Sequence, residues 1–271
     1  MRLSLGPLAI VALTASAIST AALAAEPVRV GGTGAAFGFL QSLGDAYSAR
    51  SGVKVVNVPS LGSGGGLRAV AEDKIDLAVS GRSLRADEIA KGLAVVMIVR
   101  TPYFIVTSHR HPGGLKSADM ATLYAKPNAT WADGSPVRIV LRPRSDSDTD
   151  LMGELFAGMA QALEAARSRP EVPTGATDQD NGDLAERISG SLTGMTATQL
   201  KMENRRLRAV ALDGVEATFS NFDNGTYRYG KKLYFVVKGA GSPDVMRFID
   251  FVRSVEGMKI LREAEALPET Q

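Results

Sequence analysis

Three places in the chain share one design, an apolar run that gives way to small polar residues and then to a helical pattern. They are Gly32-Thr33-Gly34-Ala35-Ala36, Gly62-Ser63-Gly64-Gly65-Gly66, and Arg142 to Thr149, reading RPRSDSDT. Small residues such as Gly64 leave the backbone N–H groups of a helix start uncovered, and the partial positive charge of that helix end favours an anion. Hydroxyls at Thr33, Ser63, Ser147 and Thr149 add donors. Arg82, Arg142 and Arg144 stand in or beside turns after strands, where a guanidinium makes paired, charge-assisted bonds to an oxyanion. For one loop alone, ordinary turn and capping chemistry accounts for the glycine and serine. Surface exposure likewise accounts for any single arginine. Three such loops in one chain, the third carrying arginines, point to a shared anion site.

Other chemistries find less support. His109 and His111 form a His-x-His pair, but no carboxylate within a few positions completes a metal set. Asp146, Asp148 and Asp150 alternate as in part of a calcium loop, yet the glycine and terminal glutamate of that loop are missing. There is no G-x-S-x-G, and Ser63 has no histidine partner in view. With no cysteine in the chain, disulfides and thiolate chemistry are excluded. No metal, cofactor or catalytic residue is expected. A formal net charge of +2 argues against a nucleic-acid partner held by bulk charge, and the run Arg205, Arg206, Arg208 near a helix end reads as solvated or as complementing the helix dipole.

The elements that must hold these residues alternate. Val28 to Val30 reads as a strand, followed by a glycine turn and a helix to Arg50 with Phe37, Leu40 and Tyr47 on one face. Val53 to Val58 and Asp76 to Ser80 are further strands, each leading through a turn into a helix. Leu93 to Val99 and Thr101 to Ser108 read as two more strands. This order predicts α/β architecture with parallel pairs. Further on, Asp150 to Arg167 reads as the longest helix, Pro170 to Gly182 as an exposed loop, and Pro243 to Glu265 as a C-terminal helix.

At 271 residues and 45% hydrophobic, the chain can bury one large core or two smaller ones. Arg2, an uncharged stretch from Leu5 to Leu23 and the Ala22-Leu23-Ala24 site predict a signal peptide over residues 1–24. The product is expected in the periplasm, as a monomer.

With these residues in view, the mature chain resembles the solute-binding proteins of phosphate ABC transporters, which have the type II periplasmic-binding fold. The resemblance lies in Gly32 to Phe37, in Gly62 to Gly66 as the family's G-S-x-G-G loop, and in Asp76 to Ser80 as the strand after it. It continues at Ser147-Asp148-Thr149, in place of S-G-T, and at Asn224 to Tyr227 and Phe248 to Gly257. It implies a two-lobed α/β fold with mixed sheets flanked by helices and a ligand cleft between the lobes. Lobe one would be residues 26–105 with 230–271, and lobe two 106–229, hinged near Thr107 and Val215 to Asn224.

The implied function is capture of phosphate or a related oxyanion for an ABC permease. A sensor module, or an enzyme on the same fold using Asp146, Asp148 or His109, is the alternative. The implied contacts are Ser63, Ser147 and Thr149 through hydroxyls and Phe37 through its backbone. The chain departs from the family at four points. Ala36 replaces a threonine, and the binding arginine falls at Pro143, between Arg142 and Arg144. The glycine of S-G-T is Asp148, and the aspartate expected after Ser80 is Gly81. Loss of that acceptor removes a device that favours protonated phosphate over a fully deprotonated anion.

Overall fold

The structure is a computed structural model that describes residues 26–269. The signal-peptide segment lies outside the described residues. Among the described residues there are eleven strands: β1 Val28–Gly32, β2 Val55–Asn57, β3 Leu77–Ser80, β4 Leu93–Thr107, β5 Gly114–Leu115, β6 Arg138–Ile139, β7 Ser191–Thr196, β8 Arg208–Ala209, β9 Ala211–Leu212, β10 Gly230–Lys238 and β11 Leu267–Pro268. The first α-helices are α1 Phe37–Ser51, α2 Gly62–Ala71, α3 Ala86–Ala90 and α4 Met120–Ala125. Then come α5 Ser147–Leu155, α6 Met159–Arg167, α7 Asp178–Arg187 and α8 Ala197–Met202. The last are α9 Phe219–Asp223, α10 Pro243–Arg253 and α11 Val255–Glu263.

The main sheet runs β2-β1-β3-β10-β4-β7-β6, with β8 and β11 also paired to β4. β1 pairs parallel with β2 and β3, as alternation of strands and helices requires, while β10 and β4 run antiparallel. β4 is one 15-residue strand where the sequence reads as two. Its first part pairs with β10 as far as Pro102, and from Tyr103 it pairs with β7. Pro102 therefore stands where the ladder changes partner, a position at which its missing N–H breaks little.

The chain passes between two buried cores at this point. One core contains Val30, Phe39, Leu43, Val79, Val99, Phe235 and Phe248. The other contains Tyr103, Trp131, Leu141, Phe156, Leu192 and Tyr229. Tyr103 donates its N–H to the Tyr229 carbonyl at 3.0 Å, so the two crossing segments are tied side by side. These are the two lobes, joined through β4 and β10.

Two helices are shorter than their periodicity predicts. The stretch Asp150 to Arg167 is divided into α5 and α6 by Gly158, whose φ of 75° ends the helical path, so α1 is the longest helix among the described residues. The C-terminal pattern is divided at Ser254, whose hydroxyl accepts the Gly257 N–H and caps α11. The loop expected over Pro170 to Gly182 instead yields α7, capped by Thr177, with Asp178 buried at its first position. Arg205, read as solvated, is mostly buried in ion pairs with Asp183 and Glu203. Among the described residues no helix is long and apolar enough to cross a membrane.

Candidate functional site

Lobe one brings three backbone turns to the seam between the lobes. β1 ends in Gly32 and Thr33, whose N–H is held by the Val79 carbonyl at 2.9 Å, and the chain turns through Gly34 into α1. α2 opens at Gly62, and its close packing on β1 places the Ser63 side chain inward, where it is buried. β3 ends at Ser80, after which the Gly81 N–H donates to Ser63 Oγ at 2.9 Å. From β10 comes Lys231, on the same face as Leu233, Phe235 and Val237, and 1% exposed.

Lobe two supplies the facing groups. Asp146 caps α5 by accepting the Asp148 N–H at 2.9 Å, which puts Ser147 and Asp148 in the first turn, both buried. Ser63 and Ser147 meet across the seam, Oγ to Oγ, at 3.3 Å. Lys231 Nζ donates to Ser147 Oγ at 3.1 Å and forms a short ion pair with Asp148. A Cβ on Gly81 would lie 2.6 Å from both Lys231 Cε and Ser147 Oγ, so the bare glycine is what admits the lysine.

The second half of the seam is built around Asp178. Its Oδ2 accepts the Gly34 N–H at 2.9 Å and the Thr33 hydroxyl at 3.5 Å. Arg142, 5% exposed, lies 3.5 Å from the same oxygen, and also donates to Asp146 at 2.6 Å and to the Gly175 carbonyl at 3.0 Å. Gln199 holds the Asp178 carbonyl, and Thr198 donates to the Ala35 carbonyl, which adds a further bond between the lobes.

Two buried cations, Arg142 and Lys231, thus face three carboxylates, Asp146, Asp148 and Asp178. Burial pushes the Asp178 carboxyl up to about 6, helped by Asp148 and Asp146 and opposed by Arg142 and Lys231. For Lys231 burial works against its charge, but Asp148, Asp178 and Asp146 outweigh it and the ammonium is held above its ordinary value. The arrangement is one of donors and compensating charge.

Of the residues expected at the site, Thr33, Ser63, Arg142 and Ser147 are brought together in the seam. Beside it opens a cleft of about 980 Å³, lined in part by Gly81, Arg82, Arg144, Ser147, Thr149 and Lys231. Arg82 there is locked onto Glu88 by two bonds of 2.7 and 2.9 Å. Arg144 lies on the exposed rim, paired with Glu164, and the Thr149 hydroxyl is spent on the Pro143 carbonyl. The Phe37 N–H donates to the Gly34 carbonyl within its own turn, and Gly64 lies inside α2.

His109 stacks on Trp131 at 5.0 Å, bonds Asp133 through Nε2 and accepts the His111 N–H at Nδ1, so both ring nitrogens are engaged in the loop. Among the described residues no group of three or more His, Asp or Glu is placed to hold a metal ion. Reading the sequence missed Lys231 and Asp178. The alternation Lys231, Leu233, Phe235 was the available sign of an inward lysine. Asp178 gave no such sign, because its role depends on a contact with lobe one.

A family model for a PBP superfamily domain matches residues 17–256. This chain belongs to the PBP superfamily. Solved structures agree on the fold. A protein named as a phosphate ABC transporter substrate-binding protein from Clostridium perfringens, with bound phosphate, is similar with a TM-score of 0.78 at 20% identity, over 90% of this chain and 100% of that one. An ABC-type phosphate transport receptor from Vibrio cholerae has a TM-score of 0.63 at 14% identity, over 89% and 99%. A phosphate-binding protein from Stenotrophomonas maltophilia has a TM-score of 0.64 at 13% identity, over 91% of each chain. No curated protein matches the chain. The two-lobed type II fold is therefore common to this PBP-superfamily member and these binding proteins.

Proposed function

We propose that this PBP-superfamily chain is an extracytoplasmic solute-binding protein that captures phosphate or a related oxyanion between its lobes and presents it to an ABC permease. The observation that carries this reading is the buried meeting of donors from both lobes: Gly34 N–H, Thr33, Ser63, Ser147, Arg142 and Lys231. Such a set, closed off from water, recognises an anion with several acceptor oxygens. The binding residues assigned are Thr33, Ser63, Arg142, Ser147 and Lys231. The names of similar structures, which include phosphate receptors with bound phosphate, support the ligand class. No catalysis is assigned, since the buried carboxylates are engaged with cations and backbone groups rather than aimed into the cleft.

In this reading the lobes, residues 26–102 with 230–269 and residues 103–229, rotate about the paired crossings of β4 and β10, and the mature protein works in the periplasm as a monomer. Titration calorimetry with phosphate, sulfate, molybdate and small organic phosphates tests the function. Saturable one-to-one binding of at least one of them is expected. No heat and no thermal stabilisation with any of them would overturn it.

A further inference from the structure

The donors that would hold a bound oxyanion are already in use, and the groups using them are the protein's own carboxylates. Asp178 takes the Gly34 N–H and faces Thr33 and Arg142. Asp148 takes the ammonium of Lys231 beside the two serine hydroxyls. Both carboxylates come from lobe two and reach partners in lobe one, as a ligand trapped between the lobes does. Arg142 Nε is buried with no hydrogen-bond partner, so the arginine keeps a donor that the carboxylates leave unmet.

We propose that Asp178 and Asp148 are specificity-determining residues that occupy the oxyanion positions themselves, so that the lobes close without solute and an anion binds only by displacing them. This rests on the reading of the seam as an anion seat. The charge count gives the reason. The seam already holds one more carboxylate than cation, so an added dianion is repelled unless a carboxylate leaves the pocket. The ligand that succeeds is a compact, multiply charged oxyanion with three or more acceptors, able to replace both the backbone and the guanidinium contacts. A monocarboxylate offers nothing that Asp178 does not offer already.

The test joins solution scattering of the full chain, with and without inorganic phosphate, to calorimetry of phosphate and sulfate on wild type, Asp178→Asn and Asp148→Gly. The wild type is expected to be equally compact in both conditions, and each variant is expected to bind phosphate at least tenfold more tightly than wild type. A wild type that is expanded when free and contracts on phosphate would overturn the proposal while leaving the proposed function intact. Equal or tighter binding by wild type than by folded variants would do the same. If wild type and folded variants alike bind no oxyanion, the function itself fails and this proposal with it. Should a variant fail to fold, judged by circular dichroism, the scattering pair on wild type still decides.

Discussion

The Asp178 carboxylate on lobe two accepts the backbone N–H of Gly34 on lobe one at 2.9 Å. It does so while buried and with Arg142 at 3.5 Å from the same oxygen. One side chain thereby bridges the lobes at the first glycine turn.

That burial gives a pH signature. The folded state holds the Asp178 proton up to about 6, above the ordinary aspartate value, so the native state binds this proton more tightly than the unfolded chain. The contribution is fully present below about pH 4 and falls away as pH rises through about 6, a change on the order of 3 kcal/mol. Asp178→Asn has no such titration. Urea unfolding at a series of pH values is expected to show wild type losing stability relative to the variant over this window. Parallel curves would contradict the assignment.

Among the described residues Lys231 is the only counter-charge bonded to Asp148. Lys231→Met leaves a buried carboxylate uncompensated and is expected to cost about 3–5 kcal/mol in denaturant unfolding. Adding Asp148→Asn removes the stranded charge, so the double variant is expected to be more stable than additivity allows, with a coupling of roughly 1–3 kcal/mol.

At Gly81 a methyl group would meet Lys231 Cε and Ser147 Oγ at 2.6 Å. Gly81→Ala is expected to push the lysine out of its place and to destabilise by about 1–3 kcal/mol. The same change in a Lys231→Met background is expected to cost less, because a thioether chain adapts to the added methyl.

Arg144 provides a contrast. Its side chain is 69% exposed and its partner Glu164 is itself on the surface. Arg144→Ala is expected to leave the melting temperature and phosphate affinity unchanged within error, as for an exposed ion pair. Arg142→Ala is expected to lower both.

The sequence made the glycine turns legible because their chemistry is local. Small residues before a helix start mean the same thing wherever they occur, and Thr33, Ser63 and Ser147 follow from them. The parallel pairing of β1 with β2 and β3 was legible for a similar reason, in the alternation of short apolar runs with helices. What stayed hidden depends on contacts between distant parts of the chain. Asp178 sits in a stretch rich in polar residues and is buried only because lobe one covers it. Lys231 reads as one of a pair of surface lysines until β10 is placed centrally in the sheet. The continuity of β4 through Pro102 also follows from its partners, not from its own residues. Arg144 is the opposite case, a residue of the right type at the right place that turns outward to Glu164.

A crystal structure of Asp148→Gly with phosphate tests the central claim most directly. The account predicts phosphate in the seam, accepting from Ser63, Ser147 and the freed Lys231 ammonium. Phosphate confined to the outer cleft near Arg82 and Arg144, with Lys231 turned to another partner, would contradict it.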